Sequence, residues 1–305
     1  MSWRSQFPPR PGYPAPDGLV TTRAAVETLF RAQASDEPSG DRHRGDRHRG
    51  ESAEIAGVSC IDVGAPGSAD ADTPGSAGTT ILYLYGGGFR MGSALGSQPF
   101  AVRLAGATGM RVVVPNYPLA PEHPYPAALT AILGVYEALL PAPGAPLVVV
   151  GDSAGGGLAA SLTLAALRFG MRLPAAVALL SPWLDLTLTS PTFQSRAAAD
   201  ELFSHAAAAE AARMYLQGVP GTDEFVSPVH AGLTGFPPTS IQVGTDEVLL
   251  GDSLAFASAL ALANCEVSLR VVPGMQHIWP ARQPELPESR GALAALAGFV
   301  NQHVR

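Results

Sequence analysis

Residues 150–157 read Val-Gly-Asp-Ser-Ala-Gly-Gly-Gly, and the fold follows from what flanks them. Before them, Pro146 to Val150 is an apolar, β-branched run of the length of a buried strand. After them, Leu158-Ala-Ala-Ser-Leu-Thr-Leu-Ala-Ala-Leu167 reads as a helix. Strand, tight turn and helix form the setting in which Gly151-x-Ser153-x-Gly155 becomes a nucleophile elbow. Such a turn leaves no room for a Cβ at the flanking positions, hence glycine on both sides. Ser153 would stand at a helix N-terminus, where nearby negative charge is favoured. By itself so short a pattern also fits a glycine-rich turn carrying an incidental serine.

A second stretch weighs against that bland reading. Thr79-Thr-Ile-Leu-Tyr-Leu-Tyr-Gly-Gly-Gly-Phe89 places a strand candidate, Ile81–Tyr85, directly before three glycines. A glycine run after a strand frees the backbone to turn its N–H groups inward. Acyl transfer needs this, because the tetrahedral intermediate carries an oxyanion, and losing one fixed donor costs roughly 3–4 kcal/mol. The expected donors are Gly86 and Gly87, with Ala154 after the serine. No Gly-Lys-Ser/Thr follows and the spacing is not Gly-x-Gly-x-x-Gly, so phosphate-loop and dinucleotide readings fail.

A serine nucleophile needs a base, and the chain has seven histidines. His43 and His48 lie in an Arg-rich duplication, His205 in an Ala-rich segment, His123 and His230 in Pro-containing loops, and His303 near the end. His277 follows the strand-like Glu266–Val272 and the turn Pro273-Gly274, and precedes a last helix candidate, Pro287 to Val304. The order Ser…acid…His then singles out His277. The acid must hold the imidazole in one tautomer and stabilise its charge. After the strand candidate at 239–243, Asp246, Glu247 and Asp252 are available, and chemistry alone does not separate the first two.

Further motifs complete the picture: Asn116-Tyr-Pro-Leu-Ala-Pro-Glu-His-Pro-Tyr-Pro126, Ser227-Pro-Val, Phe236-Pro-Pro238 and Gly274-Met-Gln-His277. With these the chain, from about Thr79 onward, resembles the hormone-sensitive-lipase family of α/β-hydrolases, the bacterial esterases with an HGGG motif. The resemblance implies an α/β fold with a mostly parallel sheet and helices on both faces. It implies a serine carboxylesterase acting on short- to medium-chain acyl esters through an acyl-enzyme, with Ser153 as nucleophile, His277 as base, and no cofactor or metal. It also allows a homodimer, for which no interface is legible. Two departures stand out. Tyr85 replaces the histidine before the glycines, which should alter loop packing and not chemistry. The family acid lies two residues before a leucine, with a small residue three positions before it. That register, Gly244 and Leu249, names Glu247, whereas strand end and residue identity name Asp246. The unused carboxylate is expected to cap the helix starting near Val248. A lactone or acetyl hydrolase, or a non-catalytic ligand-binding protein on this fold, are the alternatives.

Bulk numbers agree. A chain of 305 residues buries a substantial core. A net charge of −7 argues against nucleic acid. All 19 basic residues are arginine, which reads as coding bias. Cys60 and Cys265 suggest no disulfide framework, and no metal-ligand spacing is present. The start lacks the apolar core of a signal peptide and no run reaches 18 apolar residues, so a cytoplasmic location without membrane association is expected.

Along the chain, residues 1–54 are expected to form an N-terminal cap segment. It holds an amphipathic helix, Leu19–Ala34 with Val20, Ala24, Leu29 and Phe30 on its apolar face, and the loop Asp41-Arg-His-Arg-Gly repeated at Asp46, which composition marks as disordered. Residues 55–188 and 238–305 form the catalytic core, with Ile55–Val63 as one strand and Gly64–Gly78 as a loop. Residues 189–237 form a helical cap insertion, with Asp200 to His205 running into the helix Ala206–Leu216. Phe89 and Trp183 are candidate pocket residues. Asp185 and Glu122 are expected to hold loop backbone.

Overall fold

The computed structural model describes residues 2–35, 50–64, 78–140 and 145–304, with the backbone alone for 29–35. The Arg-His duplication and most of the 64–78 loop lie outside the described residues. Eight strands form one sheet: β1 (Glu51–Ile55), β2 (Val58–Val63), β3 (Thr80–Leu84), β4 (Arg111–Pro115), β5 (Leu147–Asp152), β6 (Ala176–Leu180), β7 (Thr239–Gly244) and β8 (Val267–Val272). Their order is β1-β2-β4-β3-β5-β6-β7-β8. From β4 through β8 every pairing is parallel, while β1 and β2 join antiparallel at one edge.

The central strands β3, β5, β6 and β7 are buried at every position. That is why they read as continuous apolar runs: helices cover both faces. These include α2 (Ala94–Thr108), α3 (Ala127–Leu139), α4 (Ser153–Arg168), α7 (Leu250–Leu262), α8 (Trp279–Arg282) and α9 (Pro287–His303). The remaining helices are α1 (Asp17–Ser35), α5 (Thr192–Ser195) and α6 (His205–Leu216).

Three sequence expectations are corrected. The run Ile55–Val63 is not one strand: Ile55 ends the first arm of a hairpin, Ala56-Gly57, both at positive φ, make its turn, and Val58–Val63 is the second arm; the sheet begins at Glu51. Among the described side chains of α1 the inward residues are Leu19, Arg23, Val26 and Glu27, whereas Val20 and Ala24 face solvent; the side chains of Leu29 and Phe30 lie outside the described residues. Arg23 decides that face. It forks onto Glu122 (2.5 and 2.9 Å) and donates to the carbonyls of Arg90 and Ala120, both at 2.7 Å. Glu122 therefore holds a helix to its loop through arginine, and its carboxylate also accepts a backbone N–H of the loop, its own, as expected. Finally, 200–204 is not helical; α6 starts at His205 with Ser204 as its cap, its Oγ accepting Ala207 N–H at 3.2 Å.

The first residues also pack more than their proline content suggests. Phe7 is buried among the rings of Tyr125, Phe169 and Phe225, at 6.4, 5.9 and 5.1 Å. Arg10 donates to the Leu216 and Gln217 carbonyls at the end of α6, at 3.1 and 2.9 Å. On its other side α6 meets the loop after β3: Tyr215 stacks on Phe89 at 4.0 Å, and Arg90 pairs with Glu210 at 2.6 Å. No helix among the described residues is long and apolar enough to cross a membrane.

Candidate active site

The loops at the carboxyl ends of β3, β5, β7 and β8 converge, as expected of an open parallel sheet. Ser153 follows β5 directly and opens α4. Its φ of +52° lies in the left-handed region, a conformation that costs a non-glycine residue about 1–3 kcal/mol and persists only where the surroundings enforce it. Gly155 enforces it here: a Cβ at that position would overlap the carbonyls of Leu84 and Tyr85 at the end of β3, so α4 sits closer to β3 than any other residue allows.

His277 Nε2 lies 2.9 Å from Ser153 Oγ, and Nδ1 lies 2.9 Å from Glu247 Oε2. Ser153 and His277 are each 6% exposed and Glu247 is fully buried. A carboxylate only accepts hydrogen bonds, so Nδ1 carries the proton and Nε2 is left to accept the serine hydroxyl. The second oxygen of Glu247 accepts from Gly244 N–H at 2.6 Å and Ser181 Oγ at 2.8 Å. Ser181 Oγ in turn accepts Ile278 N–H at 3.0 Å, so its own proton is directed at Glu247. Gly244 is required for this approach, since a Cβ there would overlap the carbonyl of Met275 two residues before His277.

Between the two carboxylates offered by the sequence, the fold brings Glu247 to the imidazole. Asp246 is half-buried and, among the described residues, its carboxylate accepts only from the neighbouring Thr245 hydroxyl at 3.0 Å. Nor does Asp246 cap α7: the Val248 N–H at its approach is taken by Asp200 Oδ2 at 2.9 Å. Asp252 is buried in another place, accepting the N–H groups of Leu184 and Asp185, both at 3.0 Å. Burial pushes its carboxyl up to about 7, opposed by those two N–H bonds and reinforced by Asp185. Asp185 accepts from Thr187 N–H at 2.9 Å, as expected, and from His230 at 3.1 Å.

The glycine loop needs one revision. Gly86 spends its N–H on Asp152 Oδ2 at 3.0 Å, so it is not free to meet a substrate oxygen. Asp152 Oδ1 accepts the Tyr83 hydroxyl at 2.6 Å. Burial raises the Asp152 carboxyl to about 6, with the Tyr83 bond, the charge of His277 and the Gly86 N–H pulling the other way. Among the described residues no hydrogen bond engages the N–H of Gly87, Gly88 or Ala154. Tyr85, standing where the resembling family has histidine, stacks on Tyr117 at 4.4 Å, and the Tyr117 hydroxyl donates to its carbonyl at 2.5 Å.

Phe89 and Trp183 are both buried, 2% and 0% exposed, and lie 5.4 Å apart. The Trp183 backbone N–H donates to the Ser153 carbonyl at 2.9 Å, and its indole N–H donates to the Asp185 carbonyl at 3.0 Å. The aromatic ring facing the imidazole is Phe203, nearly parallel to His277 at 5.8 Å and edge-on to Trp183 at 5.2 Å. The sequence reading passed over it, because a helix was expected there and one phenylalanine in an Ala-rich stretch carries no local signal. Among the described residues no cluster of acidic, histidine or cysteine side chains suits a metal.

A family model described as an alpha/beta hydrolase fold matches residues 81–281. The chain is an α/β-hydrolase. It is 36% identical over 225 residues to an acetyl-hydrolase of Streptomyces hygroscopicus, covering 73% of this hydrolase and 75% of the relative. An esterase of Acinetobacter venetianus is 38% identical over 227 residues, with the same 73% and 75% covered. Among solved structures, an esterase from the bacterial hormone-sensitive lipase family superposes with a TM-score of 0.84 at 31% identity. The superposition spans 96% of this hydrolase and 94% of that chain. The resemblance seen in the motifs thus extends through the whole architecture.

Proposed function

We propose that this α/β-hydrolase is a serine carboxylesterase that cleaves short- to medium-chain acyl esters. The observation that carries the reading is the Ser153–His277–Glu247 relay, with 2.9 Å at each link, beside the Gly87 and Ala154 N–H groups, which no described residue engages. Ser153 Oγ attacks the ester carbonyl as His277 Nε2 takes its proton, and Glu247 stabilises the imidazolium. The oxyanion is received by the N–H groups of Gly87 and Ala154, with Gly88 as a third donor in place of Gly86. His277 then protonates the departing alcohol, and water, activated by the same nitrogen, releases the acid.

In this reading residues 1–54 and 189–237 act together as a cap over the core. The joining contacts of Arg10 and Arg23 support it. Cys60 and Cys265 are both free thiols, which favours the cytoplasm. Acetyl esters are a second reading at the short end of the range, favoured by the acetyl-hydrolase relative.

A fluorophosphonate should label Ser153, and Ser153→Ala should abolish both labelling and hydrolysis. Across p-nitrophenyl esters, butyrate-length chains should be hydrolysed faster than palmitate-length ones. Clear activation on emulsified long-chain ester would make the protein a lipase and refute the chain-length part. An unlabelled, fully active serine variant would refute the mechanism.

A further inference from the structure

The stretch Ala199–Phe203 ties the insertion to both loops that carry the acid and the base. Asp200 Oδ1 accepts the N–H groups of Leu202 and Phe203, both at 2.9 Å, while its Oδ2 reaches across to Val248 N–H at 2.9 Å. Val248 is the residue after Glu247. From the other side, Gln276, the residue before His277, grips the same stretch with both ends of its amide. Its Oε1 accepts Glu201 N–H at 3.1 Å and its Nε2 donates to the Ala199 carbonyl at 2.8 Å. The turn so formed lays Phe203 parallel to the imidazole at 5.8 Å. Its three components, two side-chain clamps and one ring, all act within one residue of Glu247 or on His277 itself.

We propose that Asp200 and Gln276 are positioning residues, and that through them the insertion sets the geometry of the acid–base pair. The inference rests on the proposed roles of Ser153, His277 and Glu247. Its physical basis is that Nδ1–Oε2 and Nε2–Oγ must both be met by one ring, so the two loops need a common reference. β7 and β8 are paired neighbours, and the loops after them are joined by Asp246 N–H on the Met275 carbonyl at 3.3 Å and by Gly274 N–H on Thr245 Oγ1 at 2.8 Å, bonds that stop short of Glu247 and His277 themselves. The 199–203 stretch bridges them beyond the sheet. The Asp200 carboxylate accepts three backbone N–H bonds, each stronger than a neutral bond, and ties the 199–203 stretch to the acid loop because Oδ1 serves the stretch and Oδ2 serves Val248, while Gln276 ties the same stretch to the base loop. Phe203 also covers one face of the imidazole, which limits ring rotation and water access.

The test compares Asp200→Ala, Asp200→Asn and Gln276→Leu with Arg213→Gln, a substitution on α6 outside the clasp. Ser153→Ala and His277→Ala complete the series. The readouts are kcat (per fluorophosphonate-titrated site for the Asp200, Gln276 and Arg213 variants, per folded protein for Ser153→Ala and His277→Ala), KM, the acid limb of kcat/KM and the melting temperature. Asp200→Ala and Gln276→Leu should each lower kcat by at least roughly tenfold with KM changed by less than about threefold, as expected when reacting groups are displaced by a fraction of an ångström to one ångström. The acid limb should move by about half a pH unit or more, because the partner that stabilises the imidazolium is displaced. Asp200→Asn, which keeps one acceptor oxygen, should recover part of the loss, and Arg213→Gln should behave as wild type.

A fall in melting temperature with kcat per site and the acid limb unchanged would overturn the proposal, since the clasp would then be structural only. Should Asp200→Ala fail to fold, Gln276→Leu decides by the same criteria. If Ser153→Ala and His277→Ala stay active, the reading of the active site itself has failed. If those two are inactive while the clasp variants keep wild-type kcat and pH profile, only the present inference has failed.

Discussion

Replacing Glu247 by glutamine should lower kcat by roughly 10⁴-fold, because the structure dictates which end of the new amide faces His277. Glu247 Oε1 accepts two bonds, from Gly244 N–H at 2.6 Å and from Ser181 Oγ at 2.8 Å. The Gly244 N–H can only donate, so an NH₂ in that place would set two donors face to face at 2.6 Å. Only the oxygen of a glutamine side chain can stand there, so its NH₂ must face Nδ1 at the 2.9 Å position of Oε2. An NH₂ group donates, Nδ1 must then accept, and the proton moves to Nε2, where it blocks the serine hydroxyl. The variant keeps the packing and loses the tautomer, at a cost of about 5 kcal/mol in the barrier. Glu247→Asp should also be impaired. One C–C bond of about 1.5 Å is lost, which stretches the Nδ1 contact from 2.9 Å to roughly 4 Å, beyond hydrogen-bond range. Asp246→Ala should stay within about threefold of wild type, since its carboxylate meets only Thr245. The assay is steady-state hydrolysis of p-nitrophenyl butyrate by folded, site-titrated protein. A Glu247→Gln enzyme within about tenfold of wild type, or an inactive Asp246→Ala, would refute the reasoning.

Ser153→Ala and His277→Ala should each remove nearly all activity, and the double variant should be little worse because the two residues act as one unit; additive losses in kcat would contradict that. Asp252 supplies a pH-dependent prediction about stability. Its carboxyl is raised from the ordinary 3.8 to about 7 by burial, so the folded protein holds this proton more tightly than the unfolded chain. Its contribution to stability is therefore greatest below pH ~4 and falls as pH rises towards 7, by on the order of 4 kcal/mol. Asp252→Asn removes that dependence while keeping an oxygen for the Leu184 and Asp185 N–H groups. Its melting temperature relative to wild type should thus rise from pH 5 to pH 8, and a difference independent of pH would count against the buried charge.

The sequence by itself determined the frame of this hydrolase. Gly151-x-Ser153-x-Gly155 between an apolar run and a helical run implies strand, turn and helix, because steric exclusion of a Cβ is a local matter written in glycine. Buried parallel strands likewise announce themselves as unbroken apolar runs, so β3 and β5 were legible to within two residues, as were β7 and β8. Ser153 and His277 could be named from their places after β5 and β8, since the order of strands along the chain fixes which loops share an edge. What the tertiary structure decided are contacts between residues distant in sequence. Asp246 and Glu247 are neighbours of like chemistry, and only the convergence of Ser181, Gly244 and His277 on one carboxylate separates them. Gly86 looks like any other glycine of its loop until Asp152, 66 residues on, takes its N–H. Val20 of α1 is exposed and Arg23 turns inward because Glu122, 99 residues away, lies beneath the helix. Phe203 reaches His277 only through the turn held by Asp200 and Gln276. Periodicity and turn chemistry act over a few residues and can be read directly. Hydrogen-bond commitments across more than sixty residues depend on how the loops meet, and no local pattern encodes them.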